Sequence, residues 1–331
     1  MTRLPNVRYL TGFTGSTGQA LLTDGGGVFF TDGRYEHQSA REVPDLDRVT
    51  YSGELAQSVA EAARRLGVTR VAFEGAGLTY SSYVDLAETE VELQPTSGEV
   101  ERLRWAKEPP EVELLRAAQA VADEAFELIA AALSEGMTEH DAAFQLDTFL
   151  RGRSEGVAFD TIIAFGENAA EPHHRPTNRP LRRGDVVTMD YGCVMGGYHS
   201  DMTRTVAFGE PPGWLREIHG IVREAQQAGV DAVTAGASGG QVDRVVRDFI
   251  FASGYGEAYK HPLGHGVGLE IHEGPSLRPA GADVLPESSV VTVEPGVYLN
   301  GLGGVRIEDM VEVTSNGCWV IPRVTKDLVV L

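Results

Sequence analysis

The sequence predicts an α+β protein, with a small α/β domain over residues 1–98 and a larger, internally repeated domain over 99–331. Three observations predict it. Short β-rich runs alternate with amphipathic helical stretches before position 96. Two helix starts of the same kind, at Thr138 and Ser238, stand one hundred positions apart. Each half of the later region then runs from helices into an acidic β-hairpin.

In the first domain, residues 28–31 (Val-Phe-Phe-Thr) read as a strand closed by Asp32-Gly33. Residues 54–66 read as a helix, because Leu55, Val59, Ala62, Ala63 and Leu66 fall on one face and Gly67 suits its C-terminal cap. A second strand at 71–74 and a short helix at 80–87 follow. Pro95 to Gly98 and Glu108-Pro109-Pro110 bracket the domain boundary.

From Pro110 a long helix is expected to about 133, with Leu114, Leu115, Ala118, Val121, Ala125, Leu128 and Ile129 on one stripe. Thr138-Glu139-His140-Asp141 starts the next helix with an approximate capping box. Ser238-Gly239-Gly240-Gln241 repeats that start with a full one.

The first hairpin turns at Met195-Gly196-Gly197. A centre between 195 and 196 sets Asp190 opposite Asp201. The second turns at Asn300-Gly301-Leu302, and a centre on Gly301 sets Glu294 opposite Glu308. Facing residues on antiparallel strands hold their Cβ atoms ~4.5–5.5 Å apart. A bulge shifts either register by one.

Composition excludes several classes of protein. The net charge is −20, from 48 acidic against 28 basic side chains, which argues against nucleic acid or an anionic membrane as partner. No apolar run reaches the ~18 residues of a membrane span. The first residues hold no apolar signal core, so the cytoplasm is the expected location. The two cysteines, Cys193 and Cys318, form no disulfide framework or zinc-ribbon spacing.

A pseudo-two-fold core brings the hairpins together, so Asp190, Asp201, Glu294 and Glu308 converge. His265, flanked by Gly264 and Gly266, stands in the same half, where glycine permits close backbone approach. Carboxylates that close repel unless cations sit between them. Four suit two divalent ions ~3.5–4 Å apart, bridged by carboxylates and a water. The oxygen-rich set with one imidazole favours Mn²⁺ or Co²⁺ and accommodates Zn²⁺.

Several stretches carry a family resemblance. They are residues 159–174, ending in Pro172-His173-His174; Asp190-Tyr191-Gly192; Ser200-Asp201-Met202-Thr203; residues 261–273, with His261, His265 and His272; Glu294-Pro295-Gly296; and Arg306-Ile307-Glu308-Asp309. On these the chain resembles the pita-bread metallopeptidases, specifically the Xaa-Pro branch of Xaa-Pro dipeptidase (prolidase) and aminopeptidase P. The likeness is strong over 100–331. It is looser before that, through Tyr9-Leu10-Thr11-Gly12-Phe13 and Thr31-Asp32-Gly33-Arg34-Tyr35.

The resemblance implies a pita-bread catalytic domain and assigns roles. Asp190 binds one metal, His265 and Glu294 the other, and Asp201 and Glu308 bridge. A bridging hydroxide attacks the carbonyl before proline, Glu294 moves the proton, and His272 donates to the oxyanion. His173 and His261 line the substrate site, with Tyr298 a further candidate, and Arg306 holds a metal ligand in place. Of the adjacent His173 and His174, His173 is expected to face the site. The resemblance also implies a homodimer, and an opening helix and strand before the stretch at Tyr9 that is expected to be absent here.

Short proline-containing peptides are the expected substrates. The Xaa-Pro bond has no N–H, so an enzyme that docks its substrate as a strand loses a donor there, whereas a metal centre does not need it. A dipeptidase should catch the free carboxylate with a cation, for which Arg278 and Arg34 are candidates, and this reading is preferred. The alternatives are an Xaa-Pro aminopeptidase acting on longer peptides, a methionine aminopeptidase, and a metal-free peptide-binding module.

Overall fold

The computed structural model describes residues 1–331. The chain divides into two compact units, Met1–Arg104 and Trp105–Leu331. The first ends after Arg104, not 98, because side chains hold its last helix to its first. Asn6 accepts from Arg104 at 2.7 Å and donates to Glu101 at 3.0 Å.

The first unit opens with the helix Leu4–Thr11, capped by a left-handed Gly12. Strands Gln19–Thr23, Gly26–Asp32 and Asp47–Tyr51 form one sheet, and Arg70–Glu74 pairs with Glu92–Thr96 in another. The helix Leu55–Arg65 buries Ala56, Ala60, Ala62 and Ala63, with Gly67 just beyond it in the left-handed conformation. Arg34 is bonded to Asp32 at 2.7 Å within this unit, so its charge is already matched.

In the second unit, helices Pro109–Ala132 and Glu139–Arg153 pack over one sheet, and Gly213–Ala232 and Gly239–Ala252 over another. The first pair buries Leu115, Ala118, Ala122, Ile129, Leu146 and Leu150 against Ile163, Val187, Met189 and Val206. The second pair buries Leu215, Ile218, Val222, Val242, Val246 and Ile250 against Val291, Val293 and Val311. Of the stripe expected on the first long helix, Leu128 lies at the rim, 37% exposed. The repeated capping boxes are present, Thr138 with Asp141 and Ser238 with Gln241. No helix is long and apolar enough to cross a membrane.

Register decides where the acidic residues point. The first hairpin turns on Gly196 and Gly197, both at positive φ (56° and 81°), a two-residue turn that fits the strand twist. Met195 therefore faces Tyr198, and Asp190 faces Thr203, not Asp201. The expected centre was one residue early. Asp201 lies two residues before Thr203, hence on the same face and diagonal to Asp190. In the second hairpin, Val293 faces Asp309 and Gly296 faces Arg306, which places Glu294 opposite Glu308 as expected.

The first hairpin is tight next to its acids. A Cβ built on Gly192 would lie 1.8 Å from the Ser200 carbonyl oxygen, so the strands must part to accept any side chain. Gly192→Ala is expected to cost about 2 kcal/mol or more, on the scale of core overpacking. Urea unfolding at neutral pH measures this, and an unchanged midpoint would contradict the tight register.

Candidate metal centre and active-site cavity

The two hairpins and the Gly264–Gly266 strand meet at a cavity of ≈ 560 Å³. Asp190, Asp201, His265, Glu294 and Glu308 all line it. Asp201, His265 and Glu308 offer ligand atoms within 4.8 Å of one another. His265 Nε2 lies 3.4 Å from Glu294 Oε1 and 3.6 Å from Asp201 Oδ2.

The tautomer of His265 follows from its neighbours. Nδ1 sits 3.0 Å from the Gly266 carbonyl, which can only accept, so Nδ1 carries the proton and Nε2 presents a lone pair. Burial, and then His272, pull its pKa down to about 3, so the ring is neutral at ordinary pH. That lone pair points at carboxylate oxygens.

The carboxylates are in conflict with one another. Burial first, and then Glu308, Asp190 and Glu294, push Asp201 well above the usual carboxylate range. Burial, Glu294 and Asp190 do the same to Glu308. Burial lifts Glu294 to about 8, against the pull of Arg306. Asp190 Oδ1 is buried with no hydrogen-bond partner. An orphan oxygen, an inward imidazole lone pair and clustered oxygens fit divalent cations, which relieve every one of these costs.

A second layer holds the acids in place. Arg306 donates from Nη2 to Asp190 Oδ2 at 2.6 Å, from Nη1 to the Tyr298 hydroxyl at 2.9 Å and the Pro172 carbonyl at 3.2 Å, and from Nε to Thr203 Oγ1 at 3.0 Å. Thr203 Oγ1 in turn donates to Glu308 Oε2 at 2.7 Å. Thr292 Oγ1 accepts from the His265 backbone N–H at 3.0 Å and donates to Glu294 Oε1 at 3.2 Å.

Three histidines surround the acids. His272 stacks edge-on to His265, with ring centroids 4.2 Å apart. His261 Nδ1 donates to the Pro262 carbonyl at 2.8 Å, so its Nε2 accepts from the Tyr298 hydroxyl at 2.9 Å. Burial and the Arg306 charge pull its pKa down to about 4. Both nitrogens are used within the protein, so His261 shows the cavity its ring rather than a free donor. His173 is exposed at the cavity, whereas His174 is buried with Nε2 2.9 Å from Glu139.

Other expectations divide. Arg278 lines the cavity, exposed and with no ion pair. Tyr298 does not line it. Its hydroxyl is engaged by Arg306 and His261, and burial raises its pKa to about 12, so it braces the wall instead of meeting a ligand. Tyr198 is also outside the cavity, bonded to Glu111.

Sequence reasoning missed Thr203, Thr292 and Glu139. The first two carried a signal, since each lies two positions from a metal-ligand candidate on the same strand face. Glu139 looked like an ordinary first-turn acid of a helix. The apolar cavity walls Phe159, Ile162 and Ile271 carried none, because they come from separate loops and strand ends.

Comparison with known proteins agrees with this geometry. Residues 113–315 match the family described as metallopeptidase family M24, and residues 1–105 match the creatinase/prolidase N-terminal domain. The chain is 34% identical to an Xaa-Pro dipeptidase of Pyrococcus furiosus over 327 residues, covering 98% of this chain and 92% of that protein. Among solved structures, an Xaa-Pro dipeptidase from Bacillus anthracis superposes with a TM-score of 0.97 at 41% identity, covering 100% of this chain and 94% of that one. An X-Pro aminopeptidase from Thermotoga maritima gives 0.92 at 34% identity, covering 98% and 93%. With a family match spanning most of the second unit, where the acids and imidazoles converge, the chain belongs to metallopeptidase family M24.

Proposed function

We propose that this protein hydrolyses the peptide bond before proline, with Xaa-Pro dipeptides as its preferred substrates. The observation that carries the dipeptide preference is Arg278, an arginine without an ion-pair partner in a cavity whose other charges are mostly acidic. It suits the free carboxylate of a C-terminal proline. The Pyrococcus and Bacillus relatives, named Xaa-Pro dipeptidases, support the same reading. The Thermotoga relative, named an X-Pro aminopeptidase, keeps hydrolysis of longer peptides as the second reading.

Asp190, Asp201, His265, Glu294 and Glu308 would hold two divalent ions, with Mn²⁺ or Co²⁺ favoured by the oxygen-rich set and Zn²⁺ compatible. Such ions supply Lewis acidity, lowering the pKa of a water and polarising the carbonyl. Glu294 takes a proton from the attacking water and delivers it to the proline nitrogen as the C–N bond breaks. His272 donates to the oxygen that gains charge, and His173 faces the same space. The His261 ring, with both nitrogens satisfied, forms wall for the pyrrolidine ring. Arg306 keeps Asp190 aimed.

The carboxylate shifts set the pH behaviour. Glu294 titrates near 8 in the folded, metal-free state against about 4.5 unfolded, so the folded state holds an extra proton between those values. Metal-free stability therefore falls as pH rises through that window. Bound metal displaces the proton, so the stabilisation by metal grows with pH, at roughly 1.4 kcal/mol per pH unit per displaced proton. Thermal melts of chelated and reconstituted protein should differ more at pH 8 than at pH 5.5. Equal gaps at both pH values would exclude the linkage.

Two substitutions test the assigned contacts. Arg306→Lys keeps the charge but loses the fork, and should weaken metal retention about 10- to 100-fold, measured by metal analysis after dialysis. Retention at the wild-type level would remove Arg306 from this role. Arg278→Ala should raise KM for Xaa-Pro about tenfold while leaving an Xaa-Pro amide nearly unaffected. Wild-type turnover of only longer peptides would instead establish the aminopeptidase reading.

A further inference from the structure

The connection between the strands Ile162–Phe165 and Asp185–Tyr191 has no strand of its own, only the short turn Gly166–Ala170. It nevertheless supplies Pro172, His173, His174, Arg175 and Pro176 to the cavity. The His173 ring makes no hydrogen bond within the protein, so its place depends on the segment that carries it. Segments of this kind move unless their backbone is tied down.

The tie is one carboxylate outside the cavity. Glu139, fully buried at the first position of the helix Glu139–Arg153, accepts five hydrogen bonds. Oε1 takes the Phe165 N–H at 2.8 Å and Asn168 Nδ2 at 2.9 Å. Oε2 takes His174 Nε2 at 2.9 Å, the Thr177 N–H at 2.9 Å and Thr177 Oγ1 at 2.6 Å. These donors lie on both sides of His173. Main-chain bonds from Glu139 and His140 to the Arg179 and Thr177 carbonyls, at 3.2 and 3.1 Å, fix the same stretch. The helix N-terminus adds a favourable field for the negative charge.

We propose that Glu139 is a positioning residue for the active site, fastening residues 165–177 so that His174 is held against its carboxylate and the unbonded His173 is presented to the cavity. Pro172 and His173 form the tip of a turn closed by the His174 N–H donating to the Glu171 carbonyl at 3.2 Å, so fixing His174 also fixes the turn that carries His173. No other acid could take this part without a rearrangement, because Glu171, the only other carboxylate on His174, reaches Nδ1 at 3.4 Å and is exposed.

The kinetic part of the test rests on the proposed Xaa-Pro hydrolysis; the exchange part does not. Glu139→Gln keeps the shape but sets an NH2 group against N–H and O–H donors, breaking at least two of the contacts. With wild-type metal content, the variant should lose about 10- to 100-fold in kcat/KM on an Xaa-Pro dipeptide, as a misplaced active-site group does. In a His173→Ala background the same change should cost less than about twofold, since the effect acts through that ring. Amide hydrogen exchange of residues 171–178 should accelerate in Glu139→Gln without any substrate. Additive losses in the double variant, or unchanged exchange, overturn the proposal. A wild-type protein inactive on Xaa-Pro would sink the proposed function, and the exchange measurement would still decide the anchor. If Glu139→Gln does not fold, Thr177→Val removes one donor from the same oxygen and is read by the same measurements.

Discussion

Mutual repulsion among buried carboxylates is the constraint on which the rest of this structure depends. Asp201, Glu294 and Glu308 are taken out of water into one another's fields, and each responds by holding its proton more tightly. Such an arrangement survives only if the surrounding fold is stable without it and if a bound cation repays the cost. The duplicated core meets the first condition. Two sets of helices bury separate apolar clusters, and the acids stand where the two halves face each other.

The second layer keeps the acids from relaxing apart. Arg306 links Asp190, Thr203, Tyr298 and Pro172 with one planar group, a geometry that lysine cannot reproduce. Behind it, Arg204 forms a buried ion pair with Asp309 at 2.7 Å, next in sequence to Glu308, and donates to the Thr325 and Val324 carbonyls at 3.0 and 2.9 Å. The C-terminal segment is thereby tied to the strand that carries Glu308. Gln226 Nε2 completes the set by donating to Asp309 Oδ2 at 3.0 Å.

The histidines show how hydrogen bonds to the backbone assign roles. His265 and His261 each commit Nδ1 to a carbonyl, yet the remaining nitrogen differs. On His265 it is a lone pair aimed at the acids; on His261 it is filled by Tyr298. The ring types are identical, and only the neighbours separate a ligand geometry from a wall. The same holds for His173 and His174, which are divided by Glu139.

Local signals determined most of the architecture. Apolar periodicity, capping residues and turn glycines placed the helices and both hairpins, because these features depend on residues within a few positions of each other. The second hairpin's symmetric three-residue turn even gave its pairing. In the first, Gly196 and Gly197 share the turn, so a one-residue difference in centre moved Asp201 from opposite Asp190 to diagonal. What only the tertiary structure decided is which polar groups are already satisfied. Tyr298 stands outside the cavity because Arg306 and His261 claim its hydroxyl, and Glu139 anchors a loop because five donors from distant positions converge on it. Hydrogen-bond satisfaction is a property of neighbours in space, and spacing along the chain does not encode it.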